Sequence, residues 1–255
     1  MSAEPTVRVA VRGTGLRLPG VSCPEIRWPV NHDRESSLAV SAASAAAFRA
    51  KSGRGAPVVG RVGTVWATPG ARVASEVSRR LHLTGPYLDL VGTRDAGAQA
   101  FVEAAHMVQQ GWADQVVVGA SAGPDRDGAV SAVLDNRPVA GDLVVRPVGR
   151  TQLGEPDDLL AECLDRLGGP ADAVVLSASG GVEEFRAAVR RRGLPFRHVE
   201  QQFGDFGAVG GLVAAVSPAT VRTRQHALTL VVTVGETGNA VAVEVTTWNG
   251  DPRWT

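Results

Sequence analysis

The feature that most constrains this fold is an alternation that runs along most of the 255-residue chain. Short β-rich runs alternate with alanine-rich stretches that read as helices. Val7–Val11 reads as a strand that ends at a turn carrying Gly13 and Gly15. Arg34–Ala50 and Pro69–Leu81 read as helices around a strand at Gly60–Ala67. Within Gly97–Gln110, Ala98, Phe101, Val102, Ala105 and Val108 keep one apolar face at helical spacing, and Gly111 stops the helix. Gln115–Gly119 is apolar without alternation, as in a strand covered on both faces. Residues 121–156, rich in Gly, Pro and Asp, read as irregular apart from a candidate strand at Gly141–Val148. Beyond them come a helix at Asp157–Leu167, a strand at Ala173–Leu176, a helix at Val182–Arg192 and a glycine-rich helix at Gly207–Val216. Two strands, Leu228–Val234 and Ala240–Thr247, close the chain as a hairpin. Alternating strands and helices imply α/β layers around a mixed sheet. Strand–helix units in both halves fit a duplicated fold.

Composition excludes several functions. A formal net charge of zero and a pI near 7.0 argue against bulk attraction to nucleic acid or anionic membrane. No apolar run is long enough to span a bilayer, and the first residues lack the basic and apolar regions of a signal peptide, so a cytoplasmic protein is expected. Cys23 and Cys163 are too few and too far apart for a disulfide framework. His32, His82, His106, His198 and His226 are scattered without metal-ligand spacing. Pro19 follows Gly13 and Gly15 where a dinucleotide-binding helix would have to start, and no phosphate loop or nucleophile elbow is present. Trp66 and Trp112 read as core or interface anchors, Gly207, Gly210 and Gly211 as close helix packing, and Arg190–Arg192 as a solvated helix end.

Four segments in order resemble the β-ketoacyl synthase (ketosynthase) family. VAVRGTGLRLPG at Val9–Gly20 resembles its first strand and turn. GTRDAGAQAFVEAAHMVQQGWADQVVVGAS at Gly92–Ser121 resembles the nucleophile turn, the buried helix after it and the next strand. AVVLSASGG at Ala173–Gly181 resembles the strand and loop of the first catalytic histidine. VEQQFGDFGAVGGLVAAV at Val199–Val216 resembles the lysine and second-histidine region. The ending VTVGETGNAVAVEV resembles the terminal glycine–asparagine hairpin. The resemblance implies a single thiolase-like layered domain with duplicated strand–helix halves, at about 1–123 and about 140–255, and trimmed cap regions.

The family's reaction needs a cysteine thiolate at a helix N-terminus, two histidines and a supporting lysine. Carried over residue by residue, the resemblance puts Arg94 at the cysteine position, or Asp95 with one residue of slippage. It puts Ser179 and Asp205 at the two histidine positions and Glu200 at the lysine. Arg94 is a permanent cation without nucleophilic capacity, and an ion pair with Asp205 or Glu200 is expected to fill the old pocket.

What the resemblance implies is a chain that is no enzyme by itself. It would be a non-catalytic, chain-length-factor-like subunit that shapes the acyl tunnel beside an active ketosynthase in type II polyketide, polyene or fatty-acid-like elongation. Its partners would be that ketosynthase and an acyl carrier protein. It would hold no cofactor, the phosphopantetheine belonging to the carrier. The edge segment Tyr87, Leu88, Asp89, Leu90, Val91, Gly92 and Thr93 would pair with the partner subunit. Two alternatives stay open: an acyltransferase or hydrolase whose nucleophile has moved to Ser179 or Cys163, and a structural homodimer.

Overall fold

The structure is a computed structural model that describes residues 8–17, 34–52, 60–69, 72–92, 94–122, 128–138, 142–152, 155–216, 228–236 and 238–247. Cys23 and Thr93 lie outside the described residues. The first set of elements is β1 (Val9–Arg17), α1 (Arg34–Ser52), β2 (Val62–Thr68), α2 (Val73–Leu81), β3 (Tyr87–Val91), α3 (Arg94–Gln109), β4 (Gln115–Ser121) and β5 (Ala129–Asp135). The second is β6 (Leu143–Gln152), α4 (Pro156–Asp165), β7 (Ala173–Ser177), α5 (Val182–Arg191), β8 (Phe196–His198), α6 (Val199–Phe203), α7 (Ala208–Val216), β9 (Thr229–Val234) and β10 (Asn239–Thr247).

The strands form one sheet in the order β3-β2-β4-β5-β1-β6-β10-β9-β7-β8. β2 runs parallel to β3 and β4, and β5 is antiparallel to both β4 and β1. β7 runs parallel to β8 and β9, and β10 is antiparallel to both β9 and β6. Strand for strand, β6 to β10 repeat the connections and directions of β1 to β5. The halves join through a short antiparallel ladder of Val9–Val11 with Leu143–Val145. The first half therefore reaches Asp135.

Side-chain period explains the layers. Successive strand residues point to opposite faces. Val65 and Ala67 of β2, Val116 and Val118 of β4, and Val175 and Val231 of β7 and β9 join a central core with α3 and α7. Val62, Trp66 and Val117 face the other way, into a core with α1 and α2. Val174, Leu176 and Leu230 turn outward against α4 and α5. The order is helix, half-sheet, paired central helices, half-sheet, helix. Because both faces are covered, the inner parallel strands β4, β7 and β9 carry apolar runs (Val116–Val118, Ala173–Leu176 and Leu230–Val232) rather than an alternation.

Several expectations need correcting. Gly13 and Gly15 do not end the first strand; β1 runs through both to Arg17. They are glycine because α1 lies so close that a Cβ at either position would collide with the Ala46 or Ala42 carbonyl oxygen. The 121–156 stretch holds a fully buried strand, β5, which the Gly and Pro residues around it obscured. Trp66 is buried, as expected of a core anchor, and Trp112 is exposed, which leaves it the interface reading. Arg191 and Arg192 are not simply solvated: both pair with Asp157 and so tie α5 to α4.

Candidate functional site

The parallel strands of the second half end toward the N-terminus of α3, the place where open α/β sheets present their ligand-binding groups. α3 and α7 pack in the centre at a distance only glycine permits, since a Cβ on Gly97 would strike the Ala208 carbonyl oxygen. That contact delivers the first side chain of α3, Arg94, into the space beyond β7 and β9.

Arg94 is 1% exposed. One guanidinium nitrogen, Nη1, donates to Glu200 Oε1, and the other, Nη2, donates to Asp205 Oδ1 at 2.9 Å. A cation at a helix N-terminus works against the helix dipole, so these two carboxylates offset that cost as well as part of the desolvation. They differ in setting. The Glu200 side chain is 8% exposed and the Asp205 side chain 47%.

Glu200 organises the rest. Its Oε1 accepts from Ser177 Oγ at 2.6 Å and its Oε2 from Ala178 N–H at 3.3 Å. His198 Nε2 lies 3.0 Å from Glu200 Oε2 and 3.0 Å from the Ala178 carbonyl oxygen. Both neighbours are acceptors, which assigns the proton to Nε2. Gly210 of α7 makes room, because a Cβ there would sit 2.8 Å from Glu200 Oε1 and 2.9 Å from Ser177 Oγ. Asp205 is fixed in its turn by the Gly207 N–H at 3.1 Å. Three buried polar atoms around the cluster, Arg94 Nε, Thr233 Oγ1 and His198 Nδ1, have no hydrogen-bond partner among the described residues.

The structure thus brings Arg94, Glu200 and Asp205 together and separates the other two candidates from them. Asp95 is buried, accepts from Gln99 Nε2 at 2.8 Å and packs against Gly235, so Arg94 is the residue that faces the cluster. Ser179 is exposed on the turn after β7, and no base is hydrogen-bonded to it among the described residues. Cys163 is buried among Leu159, Leu160 and Phe185 in the outer core, and burial, aided by Glu162, pushes its thiol up to about 11. A thiol so placed is no nucleophile, which removes the alternative built on it. Sequence reasoning missed His198 and Ser177. His198 sits on a three-residue strand with too short a period to be seen. Its only signal is the spacing His-Val-Glu, which sets His198 two residues before Glu200.

The cluster offers a fixed cation, a buried carboxylate joined to a hydroxyl and an imidazole, and no thiol. Both Nη atoms of Arg94 are taken by carboxylates, so the cation is neutralised within the cluster, and Glu200 joins Arg94, Ser177 and His198 in one hydrogen-bonded network. Among the described residues there is no grouping of His, Cys, Asp and Glu that could hold a metal ion. No helix among them is long and apolar enough to cross a membrane. The segment expected to pair with a partner is β3, an edge of the sheet among the described residues, with Tyr87 and Val91 exposed at 60% and 66%, Leu88, Asp89 and Leu90 half-buried, and Gly92 following.

No protein-family model matches the sequence, and neither does any curated protein. Solved structures do resemble it. The tetronic acid condensing enzyme AbyA1 superposes with a TM-score of 0.74 at 16% identity, over 94% of this chain and 100% of that one. The 3-oxoacyl-[acyl-carrier-protein] synthase III of Aquifex aeolicus gives 0.68 at 16% identity, over 93% and 99%. An OleA variant from Xanthomonas campestris with cerulenin bound gives 0.72 at 15% identity, over 95% and 97%. At these identities the likeness is one of fold. It corrects one expectation from the sequence, that the chain is no enzyme by itself: the fold it shares is that of catalytic condensing enzymes. The α/β, thiolase-like, duplicated architecture is the one these ketosynthase-type proteins have.

Proposed function

We propose that this protein is a ketosynthase-like subunit of the chain-length-factor kind. It pairs with a second ketosynthase-type chain along β3 and helps to bound the acyl chain elongated there, in a type II polyketide pathway or a related polyene or fatty-acid-like one. The growing chain arrives on the phosphopantetheine of a partner acyl carrier protein. The observation that carries this reading is the Arg94–Glu200–Asp205 cluster, which fills the N-terminus of α3 with a paired cation. A site so filled sets the charge and depth of an acyl pocket without presenting a thiol. The exposed apolar residues on β3 support the pairing, since a flat sheet edge carrying Tyr87 and Val91 is poorly defended against strand addition.

Co-expression with a ketosynthase encoded beside it tests the reading. The expected result is a one-to-one complex by size exclusion, and Arg94→Ala in that complex changes the length distribution of the acyl products. A chain that stays apart from the ketosynthase, with products unchanged by its presence, would refute it. A homodimer that forms in preference to the mixed complex would favour the structural alternative.

A further inference from the structure

The two carboxylates on Arg94 are held differently. Glu200 is buried and fixed from four sides, by Arg94, by Ser177 Oγ at 2.6 Å, by the Ala178 N–H at 3.3 Å and by His198 Nε2 at 3.0 Å. Asp205 stands half in solvent, in the short link between α6 and α7, with Gly204 before it and Gly207 two residues after. Both glycines have positive φ. Gly204, at φ 87° and ψ 171°, occupies a region essentially closed to other residues, and Gly207 has φ 55°. Phe206 between them is half-buried against the central core. A glycine on each side lets the peptides around Asp205 turn while α6 and α7 stay in place.

The guanidinium itself is only partly used. It is planar, and its Nε–H and one Nη2–H point the same way along one edge, at the spacing of the two oxygens of a carboxylate. Of that pair, Asp205 takes Nη2 through Oδ1 at 2.9 Å. Nε, buried with the rest of the Arg94 side chain, has no hydrogen-bond partner. A buried guanidinium N–H left without an acceptor is costly. Glu200, bonded to Nη1 and committed to its other neighbours, does not supply that acceptor.

We propose that the Nε–Nη2 edge of Arg94 is a binding site for the carboxylate of a small organic acid, and that Asp205 is its built-in occupant, released when the link between Gly204 and Gly207 swings outward. An incoming carboxylate meets both N–H groups where Asp205 meets Nη2, which offsets part of the advantage that Asp205 has from being tethered. The cation stays neutralised throughout, since one carboxylate replaces another. This goes beyond the subunit role proposed above and needs no partner chain, so the two are tested separately.

The test uses the full chain and acetate, with chloride replacing it at constant ionic strength and acetamide as the neutral counterpart, read by thermal unfolding. In Asp205→Ala, acetate is expected to raise Tm saturably with a half-effect at about 1–10 mM, and acetamide and chloride are not. In the wild type the half-effect is expected at a concentration about tenfold higher or more, because the open arrangement is a minor one. Arg94→Met in the Asp205→Ala background is expected to abolish it. In the wild type, acetate is also expected to speed hydrogen exchange at the Gly207 amide, whose acceptor at 3.1 Å is Asp205 Oδ1. No saturable effect in Asp205→Ala up to about 500 mM acetate overturns the carboxylate site. An effect in that variant without one in the wild type, or with Gly207 exchange unchanged, overturns the displacement of Asp205. An effect that survives Arg94→Met overturns the assignment to Arg94.

Discussion

Replacing Glu200 by Gln tests whether the cluster at α3 is a true ion-pair network. The amide keeps the shape of the carboxylate but removes the charge that faces Arg94. Arg94 is 1% exposed and keeps only Asp205, whose side chain is 47% in solvent. Breaking a buried pair by neutralising one member costs about 3–5 kcal/mol. Asp205 retains part of the compensation, so about 3 kcal/mol is expected here. For a domain of this size that corresponds to a fall in Tm of roughly 6–12 °C. Arg94→Met should cost a similar amount, because it leaves the Glu200 carboxylate buried with only Ser177, Ala178 and His198 around it. The double variant Arg94→Met/Glu200→Gln should cost clearly less than the sum, with a coupling of about 2 kcal/mol. Asp205→Asn, acting on a half-exposed group, should cost about 1 kcal/mol or less. Urea unfolding followed by circular dichroism gives all four values. Additivity of the first two substitutions within about 0.5 kcal/mol, or an Asp205 effect as large as that of Glu200, would refute the reasoning.

Other consequences can be measured on the same protein. Gly97→Ala should cost about 2–3 kcal/mol or prevent folding, since the new methyl meets the Ala208 carbonyl across the central helix pair; an unchanged melting temperature would contradict that packing. Cys163, in a Cys23→Ser background, should resist alkylation at pH 8 until the protein is unfolded, because its folded thiol titrates near 11. The folded value lies above the unfolded one near 9, so this group's contribution is complete below pH 9 and is lost as the pH rises toward 11; a stability curve flat across that window would contradict the burial. Val91→Lys should leave the isolated chain's stability within about 0.5 kcal/mol, the site being 66% exposed, yet remove the complex with a ketosynthase partner on size exclusion.

The layered architecture was legible because its physics is local and repetitive. Strands covered on both faces must be apolar at every position, and Val116–Val118 are. A central helix must be small and apolar nearly all round, and Ala98–Ala105 is. The pairing of Arg94 with Glu200 and Asp205 was also within reach, because opposite charges stood at positions that one site had to share. The parts that escaped depend on tertiary context. Gly13 and Gly15 look like a turn in isolation, and only the position of α1 makes them strand residues. β8 is three residues long and shows no period. Its His198 looked like one scattered histidine among five until the ladder with β7 brought it beside Ala178 and Glu200.

The duplication also explains why the polar cluster sits on one side of the central layer in the form it does. In both halves the first parallel strand ends in a hydroxyl residue, Thr68 on β2 and Ser177 on β7, and in both a buried glutamate accepts from it, Glu35 and Glu200. In the first half Ser121, at the end of β4, donates to the same Glu35 oxygen. A strand end is where the ladder stops satisfying the chain, so a hydroxyl and its acceptor take over the hydrogen bonding there. The halves diverge in what the central helices bring. α7 starts with Ala208 and continues with Gly210 and Gly211, which contribute space and no charge. α3 starts with Arg94, and the Gly97 contact pushes that cation across the layer into the second half's strand ends. In the second half the hydroxyl–carboxylate pair of Ser177 and Glu200 also carries the Arg94 guanidinium. The side chain at the start of α3 thus adds a positive charge to strand ends that the shared frame supplies with a hydroxyl and a carboxylate.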